Sequence, residues 1–320
     1  MANFYGSYIG YGSGGGASVV LFQGEFFGYA HGGHQAGPTA YDRIDRWSYT
    51  ADTNATDVGN LSPSAGGSTG STDGISGFSS GGWTAGYTNF TNIQKYSYAS
   101  ATEDATAHGD LHHWSSTGCG VSDMENGYGY HQGGYAVPSS LMKQKYAFSS
   151  NTTATDAGDL SVHRQSTAGS QDTTHGYSQS GQTAAGQDNT RIDRFAFASD
   201  GDSVECGDVT QGRGGTDNGS CSLTRGYKAG GYSSAITYTD VIDNHTFAST
   251  VVATDVGNLG STNQGNSSNC STTYGYAFGG QPPATLDTIW KWSFASDTQA
   301  GPDTGADLSL SRVYLSGNQH

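Results

Sequence analysis

Residues able to hold a metal ion are present in this sequence, but their spacing does not form a recognisable site. The ten histidines include two close pairs, His31 with His34 and His112 with His113, and neither pair has a third ligand at helical or hairpin spacing. Zinc and copper centres normally need three or four such ligands, so we predict no metal site built from histidine.

No nucleophile or phosphate-binding motif stands out either. The sequence has no G-x-S-x-G elbow, and the glycine-rich stretch from Gly12 to Gly16 lacks the lysine of a phosphate loop. Glycosidase chemistry requires two carboxylates at a set separation. The 28 acidic residues are spread through the chain by the repeat described below, so no pair is singled out. We predict no catalytic residue and no enzymatic activity.

Charged residues recur at fixed positions. Five basic residues share one position and four acids recur in a following turn: Arg46, Lys95, Lys145, Arg194 and Lys291; Asp57, Asp156, Glu205 and Asp255. Pairing between the two sets is expected to tie strands or blades together, and an anion-binding ring at a channel mouth is the alternative. Ca²⁺ takes about 6–8 oxygen ligands. Each turn supplies fewer, so Asx-type turns without a cofactor are expected, with bound Ca²⁺ as the alternative.

Aromatic residues provide candidate binding surfaces. Six pairs of ring-bearing residues recur: Trp47 and Tyr49, Tyr96 and Tyr98, Tyr146 and Phe148, Phe195 and Phe197, His245 and Phe247, and Trp292 and Phe294. A ligand platform need not recur in every repeat, so these pairs are expected to be structural, packing on Ala or Ser of the next blade. Carbohydrate stacking is the alternative. Tyrosines in the turns are the better ligand-binding candidates: Tyr41, Tyr135 and Tyr232.

The four cysteines, Cys119, Cys206, Cys221 and Cys270, show no C-x-x-C spacing and therefore do not indicate a zinc site. Cys206 and Cys221 lie in one repeat and could form a disulfide between neighbouring strands. Packed free thiols are the alternative.

The aromatic pairs mark a repeat. Their first members are 49, 50, 49, 50 and 47 residues apart. Each unit opens with Gly and an aromatic residue, and a glycine pair follows after two spacer residues, as in Gly28, Tyr29, Gly32 and Gly33. One of the six openings, in the fourth unit, replaces a glycine by Ser180. A period near 50 indicates a repeat architecture.

Each unit is expected to contain four short strands. The glycine–aromatic segment comes first, and its double glycine suits a tight exit at positive φ. The aromatic pair follows on a segment whose alternation places Trp47 and Tyr49 on one face and Ile44 and Ser48 on the other. An Asp–Gly segment and a Ser/Gly-rich segment complete the unit. No segment sustains helical periodicity, and 50 of 320 residues are glycine, so the fold is predicted to be all β.

The two ends of the repeat favour a closed ring. The stretch 308–319 matches the fourth segment at 160–171, whereas the register begins near Phe26 with a first segment. One blade completed by both termini would close the ring, while an open array would want capping units. We predict a six-bladed β-propeller of four-stranded antiparallel blades over residues 25–320, closed by pairing of its N- and C-terminal strands. Residues 1–24 are predicted to be an accessory strand or docking arm.

Charge and hydropathy limit the partners. The formal net charge is −15, which argues against nucleic acid because phosphate backbones are bound by Lys and Arg. No apolar run approaches the roughly 20 residues that cross a bilayer, so no membrane insertion is expected. The first residues lack a basic start and an apolar core, so no secretory signal is expected.

The double glycine, the aromatic pair after it and the period near 50 resemble kelch-type propeller repeats over residues 26–319. The phrase seen at 96–100, 195–199 and 253–259 is similar to repeats of virion and tail-fibre-like proteins of marine phages. His108, Ser180 and Lys143 depart from the repeat pattern.

The resemblance implies a non-enzymatic structural or adhesive virion component: a tail-fibre, tail or capsid-decorating protein. Such a protein would lie in a virion or other extracellular particle and contact other virion proteins, copies of itself or a host surface glycan. The alternative is a secreted carbohydrate-binding lectin or a kelch-like carbohydrate-active enzyme. Fold alone does not separate these functions.

Overall fold

The computed structural model describes residues 23–35, 39–100, 102, 104–136, 141–183, 188–216, 218–233, 237–248, 250–281, 283–296 and 301–320. Six antiparallel sheets of four strands follow one another around a ring, and their innermost strands contact each other about the axis. Within the described ranges there is no α-helix, and the one helical turn is the 3-10 segment Ala85–Tyr87. The predicted six-bladed β-propeller is confirmed.

The strands of each blade are named inner, second, third and outer, from the axis outwards. In that order, blade 1 contains Ser316–Gln319, Phe27–His31, Arg43–Ser48 and Thr56–Asn60; blade 2 contains Thr69–Thr72, Ser76–Ser80, Asn92–Ser97 and Thr106–Asp110; blade 3 contains Cys119–Asp123, Tyr128–Gln132, Met142–Ala147 and Thr155–Asp159. Blade 4 contains Ala168–Gln171, His175–Gln179, Arg191–Ala196 and Val204–Asp208; blade 5 contains Ser220–Cys221, Arg225–Ser233, Thr237–Thr246 and Thr254–Asn263; blade 6 contains Ser267–Cys270, Tyr274–Phe278, Thr288–Ser293 and Asp303–Asp307.

Two small elements lie outside this pattern. A hairpin of Trp83–Thr84 and Thr88–Asn89 stands between the second and third strands of blade 2. Val251–Val252 runs parallel to the outer strand of blade 4 as a fifth strand.

The sequence repeat and the blade are offset by one strand. The Ser/Gly-rich fourth segment of each unit forms the inner strand of the next blade rather than the outer edge of its own. The last such segment, Ser316–Gln319, pairs antiparallel with Phe27–His31, with Gly28 opposite Gln319 and His31 opposite Ser316. Closure by the N- and C-terminal strands is therefore confirmed. The predicted accessory segment 1–24 lies outside the described residues except for Gln23 and Gly24.

The hydrophobic core is divided into six layers, one between each pair of neighbouring blades. Tyr96 and Tyr98 of blade 2 pack on Tyr29 of blade 1, with ring centroids 5.7 and 4.6 Å apart. The other pairs repeat this contact with the preceding blade, on Phe78, Tyr130, Tyr177, Tyr227 and Tyr276. The structural role of the aromatic pairs agrees with this packing, but the partners lie in the preceding blade rather than the next one, and they are not only Ala and Ser. The rings meet the aromatic residue that opens the preceding unit.

The glycine that opens each unit makes room for these rings. Gly28 lies opposite Trp47 in the same sheet, and a Cβ there would be 2.4 Å from the indole ring. The aromatic residue after the glycine points to the other face, so one blade presents a ring to each of its neighbours.

The Asp–Gly segments form the outer strands. Asp57 accepts the amide proton of Gly59 at 3.3 Å, and the register with the third strand shifts there, so this turn chemistry produces a bulge within the strand. Neighbouring outer strands are linked by one backbone hydrogen bond. Ala105, the residue just before the outer strand of blade 2, donates its N–H to the carbonyl oxygen of Asn60, at the end of the outer strand of blade 1, at 2.8 Å. Ala55, Ala154, Ser203 and Ala253 do the same.

The disulfide considered between Cys206 and Cys221 is not formed, and the alternative of packed free thiols is observed. Cys206 lies on the outer strand of blade 4 and Cys221 on the inner strand of blade 5, and all four cysteines are buried free thiols. Cys221 instead faces Cys270 of blade 6, with sulfurs 3.8 Å apart. The neighbouring Cys270 thiol and burial raise the pKa of Cys221.

Three of the five recurring basic residues, Lys95, Lys145 and Lys291, form ion pairs, although not with the acids expected. Lys145 pairs with Asp200 at 3.0 Å and Lys291 with Asp52 at 2.8 Å, each in the loop of the next blade. Asp57 pairs with Arg43, and Glu205 pairs with Arg191. These contacts tie blades and strands together, as the sequence indicated in general terms.

Candidate functional site

The loops on one face of the disc converge on its axis. This face, called the top face, carries the loops from second to third strands and the loops that enter the inner strands. The residue after each double glycine pairs with one of the entering loops, as Trp83 does with Gly66 and Tyr135 does with Ser116. The six such residues, here called the upper collar, are His34, Trp83, Tyr135, Gln182, Tyr232 and Gln281.

The double glycine allows the chain to turn into this collar. Gly81 and Gly82 have φ of 63° and 104°, and a Cβ on Gly81 would lie 2.3 Å from the carbonyl oxygen of Ser115. Ser180 occupies the Gly81 position in blade 4 with φ of 58°. Its hydroxyl lies 2.7 Å from the carbonyl oxygens of both Asn189 and Arg213 and donates its single proton between them, which offsets the strain of this departure from the pattern.

A second ring lies beneath the upper collar. In each entering loop one residue has positive φ: Gly67, Thr117, Ser166, Gly215, Gly265 and Tyr314. Their backbones are linked around the axis, since Gly67 N–H donates to Tyr314, Thr117 to Gly67, Ser166 to Thr117, Gly265 to Gly215 and Tyr314 to Gly265. These five bonds bring backbone together around the top of the propeller axis.

An axial pocket of about 290 Å³ opens on this face. It is lined by the blade 2 hairpin, by loops of blades 3 and 4, and by Tyr314 from the loop entering blade 1. Its residues are Trp83, Tyr87, Asn89, Ser116, Thr117, Tyr135, Gln165, Ser166, Gln182 and Tyr314.

Aromatic rings form much of the wall. Trp83 lies 6.1 Å from Tyr87 and 6.0 Å from Tyr314 between ring centroids. His34 stacks behind Tyr314 with centroids 5.5 Å apart and planes within 3° of parallel. Trp83 is buried, whereas Tyr87 and Tyr135 are 56% and 52% exposed. The two tyrosines are therefore available to a ligand.

The pocket is neutral. Among the described residues that line it there is no acid, lysine, arginine or histidine. Its polar groups are amides and hydroxyls, which both donate and accept hydrogen bonds. Four lining residues with side chains, Tyr87, Thr117, Ser166 and Tyr314, have φ of 58°, 54°, 54° and 52°. Such conformations are unfavourable for residues other than glycine and concentrate at ligand sites.

Of the three tyrosines predicted to bind a ligand, Tyr135 lines the axial pocket. Tyr232 occupies the same collar position two blades further along, next to Tyr238, and does not line the pocket. Tyr41 donates its hydroxyl to Gln35 at 3.2 Å and is also outside it. Sequence reasoning missed Trp83, Tyr87 and Tyr314. Aligning the residue after each double glycine would have shown Trp83 and Tyr135 as equivalents.

The paired aromatic residues lie between blades, where they are buried or largely buried, rather than on the top face. No group of three or more His, Cys, Asp or Glu residues that could hold a metal ion occurs within the described parts of the chain. Burial lowers the pKa of three interior histidines, to about 3 for His31 and about 4 for His131 and His245. These side chains are neutral structural groups at neutral pH.

No family model matches the chain, and no curated protein matches it in sequence. No helix among the described residues is long and apolar enough to cross a membrane.

Proposed function

We propose that this protein is a non-enzymatic adhesive module that uses its top face to hold a ligand displayed on another surface. The axial pocket is the observation that carries the proposal, since it is the place where exposed aromatic rings, amides and hydroxyls converge. A concave site with a few directed polar groups is the usual form of a binding site. The closed ring holds its loops on a rigid base.

The kelch-like and phage-like repeat phrase supports placing this module in a virion or similar extracellular particle, as a tail-fibre, tail or capsid-decorating protein. Its partners there would be other virion proteins or further copies of the chain, with a host surface glycan at the free face. The acidic composition, with a net charge of −15, keeps non-specific adhesion low and disfavours a nucleic-acid partner.

A lectin on the same scaffold is the second candidate, favoured by the four aromatic residues of the pocket. A carbohydrate-active enzyme is less well supported. Glycoside hydrolysis uses a pair of carboxylates, and the described residues that line the pocket include no Asp or Glu.

Adhesion tests the proposal directly. Purified full-length protein would be coupled to fluorescent beads and mixed with candidate host cells, so that many weak sites act together. Tyr135→Ala should abolish attachment, whereas Tyr232→Ala, at the same collar position outside the pocket, should leave it intact. Attachment that is equally strong with Tyr135→Ala would show that the top-face pocket does not mediate adhesion.

Particle location tests the second part of the proposal. Antibody against the folded domain, imaged by electron microscopy on native particles, should label regular positions on a particle or fibre. Diffuse label on soluble material alone would contradict a virion component and favour a secreted lectin.

A further inference from the structure

We infer that the axial pocket binds a neutral saccharide ring, with Tyr135 and Tyr87 as exposed stacking surfaces and Gln165, Gln182 and Asn89 as hydrogen-bonding groups. This inference rests on the proposed adhesive function and names the chemical class of its ligand.

The lack of charge in the pocket carries the first step. An ionised ligand would lose its hydration on entering and would meet no counter-charge among the described lining residues. The net charge of −15 adds a general repulsion of anions such as acidic sugars. An uncharged ligand is therefore favoured over a carboxylated or sulfated one.

The chemistry of the lining carries the second step. A pyranose has apolar C–H faces and a rim of hydroxyls, each of which donates and accepts a hydrogen bond. Tyrosine and tryptophan supply a flat apolar face, and glutamine and asparagine amides match hydroxyls in both directions. The volume of about 290 Å³ is close to the lower end of the roughly 300–1,000 Å³ typical of small-molecule sites. One or two sugar rings fit that size.

The backbone around the pocket disfavours an extended peptide. Gln165 and Gln182 already exchange both backbone hydrogen bonds, at 2.9 Å each, and Ser116 exchanges them with Tyr135. A peptide that adds to a sheet edge needs unpaired backbone groups. Side-chain amides and hydroxyls are left to recognise the ligand, which suits a sugar better.

The collar supplies matched controls for the experiment. Tyr135 and Tyr232 share one repeat position, as do Gln182 and Gln281, but the second member of each pair does not line the pocket. Each of the four side chains is at least partly exposed, so its truncation should leave the fold intact.

Binding would be measured by saturation-transfer NMR and calorimetry with full-length protein. The neutral probes are methyl glycosides of glucose, galactose, mannose and N-acetylglucosamine. The charged probes are sialic acid and glucuronic acid, and a proline-rich peptide serves as the peptide probe. At least one neutral glycoside should bind, and more tightly than either acid. Tyr135→Ala and Gln182→Ala should each weaken it about tenfold or more, which corresponds to loss of one good contact. Tyr232→Ala and Gln281→Ala should leave the affinity within about twofold of wild type.

The inference is overturned if no neutral glycoside binds, if an acidic sugar binds better, or if the peptide competes for a Tyr135-dependent site. Should bead attachment still depend on Tyr135 in those cases, the adhesive function stands and only the ligand class is wrong. Attachment independent of Tyr135 would instead remove the proposed function itself.

Discussion

His245 occupies the position that holds Trp, Tyr or Phe in the other five blades. The imidazole packs on Tyr177 of blade 4 with ring centroids 5.3 Å apart, and the side chain is 1% exposed. Burial lowers the pKa of His245 to about 4, against about 6.5 for a histidine in an unfolded chain. At a pH between these two pKa values, His245 is therefore protonated in the unfolded state and neutral in the folded state.

His245→Phe should make the protein more resistant to acid. The stability that depends on neutral His245 is fully present above about pH 6.5 and is lost as the pH falls towards 4. At pH 5 the loss from this residue is about 2 kcal/mol. The free energy of unfolding, measured in urea at pH 7.5 and 5.0, should therefore fall less in the variant by about that amount. The other buried histidines are common to both proteins and cancel in the comparison.

Phe195→His is the reciprocal change, because Phe195 holds the same position in blade 4 and is also buried. It should introduce a pH dependence of the same sign. Parallel pH profiles for wild type and both variants would show that a protonated ring is accommodated at this position without cost.

At the residue scale the sequence predicted part of the candidate site. Tyr135 was identified because it is a tyrosine in a turn, and the same criterion selected Tyr41, whose hydroxyl is bonded to Gln35. Turn location alone does not reveal which loops meet at the axis. Tyr314 enters the pocket from the loop before the last strand, and that proximity depends on ring closure, which links residues far apart in sequence.

At the scale of strands and loops, three blades share a buried ion pair. The loop that enters the inner strand carries an arginine, and the third strand of the same blade carries an aspartate. The pairs are Arg312 with Asp45, Arg164 with Asp193, and Arg213 with Asp243, all with side chains at most 1% exposed. Each carboxylate also accepts bonds from the N–H and hydroxyl of a Ser or Thr in the entering loop. The pair therefore fixes the loop on the sheet.

Blades 2 and 3 hold the same loop with neutral residues. Gln144 replaces the aspartate in blade 3, and its oxygen accepts the N–H of His113 at 2.7 Å, while Ser115 stands at the arginine position. In blade 2 the two positions hold Ala65 and Gln94. The arginine and the aspartate thus occur together or are both absent, as expected when one alone would be a buried unpaired charge.

Asp243→Gln should destabilise the protein by about 3–5 kcal/mol, because it leaves the Arg213 guanidinium buried without a counter-charge. The double variant Arg213→Ser with Asp243→Gln, which copies blade 3, should recover most of that loss. Urea unfolding at pH 7.5 measures both variants and the single variant Arg213→Ser, and the difference from additivity gives the coupling between the two positions.

Arg191→Ala provides a comparison, because Arg191 pairs with Glu205 at 2.9 Å while both side chains are about 40% exposed. Its loss should cost less than about 1 kcal/mol. If the double variant Arg213→Ser with Asp243→Gln is as unstable as Asp243→Gln alone, the buried unpaired charge is not the cause of the instability, and the interpretation is refuted.

The strand order was predictable from the repeat, but the contacts between side chains of neighbouring blades were not. The alternation in Ile44 to Tyr49 correctly assigned two faces, because a two-residue period is set by strand geometry. The neighbours of those faces depend on how blades are rotated against each other. That rotation put Tyr276 rather than a small residue against Trp47 and Tyr49, and Asp52 rather than a turn acid against Lys291.

At the scale of the whole molecule, closure of the ring depends on close approach of the inner strands. Five glycines and Ser268 occupy equivalent inner-strand positions: Gly70, Gly120, Gly169, Gly219, Ser268 and Gly317. A Cβ on Gly120 would lie 1.9 Å from the carbonyl oxygen of Gly70, and one on Gly70 would lie 2.2 Å from that of Gly317. This glycine ring leaves only a narrow cavity on the axis.

The sequence predicted that the ring closes, since its first and last segments complement each other. It did not show the glycine ring, because the fourth segment is rich in Ser and Gly throughout and its register cannot be read from composition. The register follows from pairing with the second strand, where Gly70 lies opposite Ser79.

Gly120→Ala should therefore destabilise the whole propeller. Overpacking of a well-packed site typically costs about 1–3 kcal/mol, and here the obstacle is backbone of the preceding blade, which can yield only if blades separate. We expect a loss of at least about 3 kcal/mol in the free energy of unfolding, measured by urea titration. Gly201→Ala is the matched control, because Gly201 is exposed, needs no positive φ, and a Cβ added there would meet open space. The same added methyl should change stability at that position by less than about 0.5 kcal/mol. Equal stability of the two variants would mean that the inner strands have room to move apart, and that close approach at the axis does not constrain the propeller.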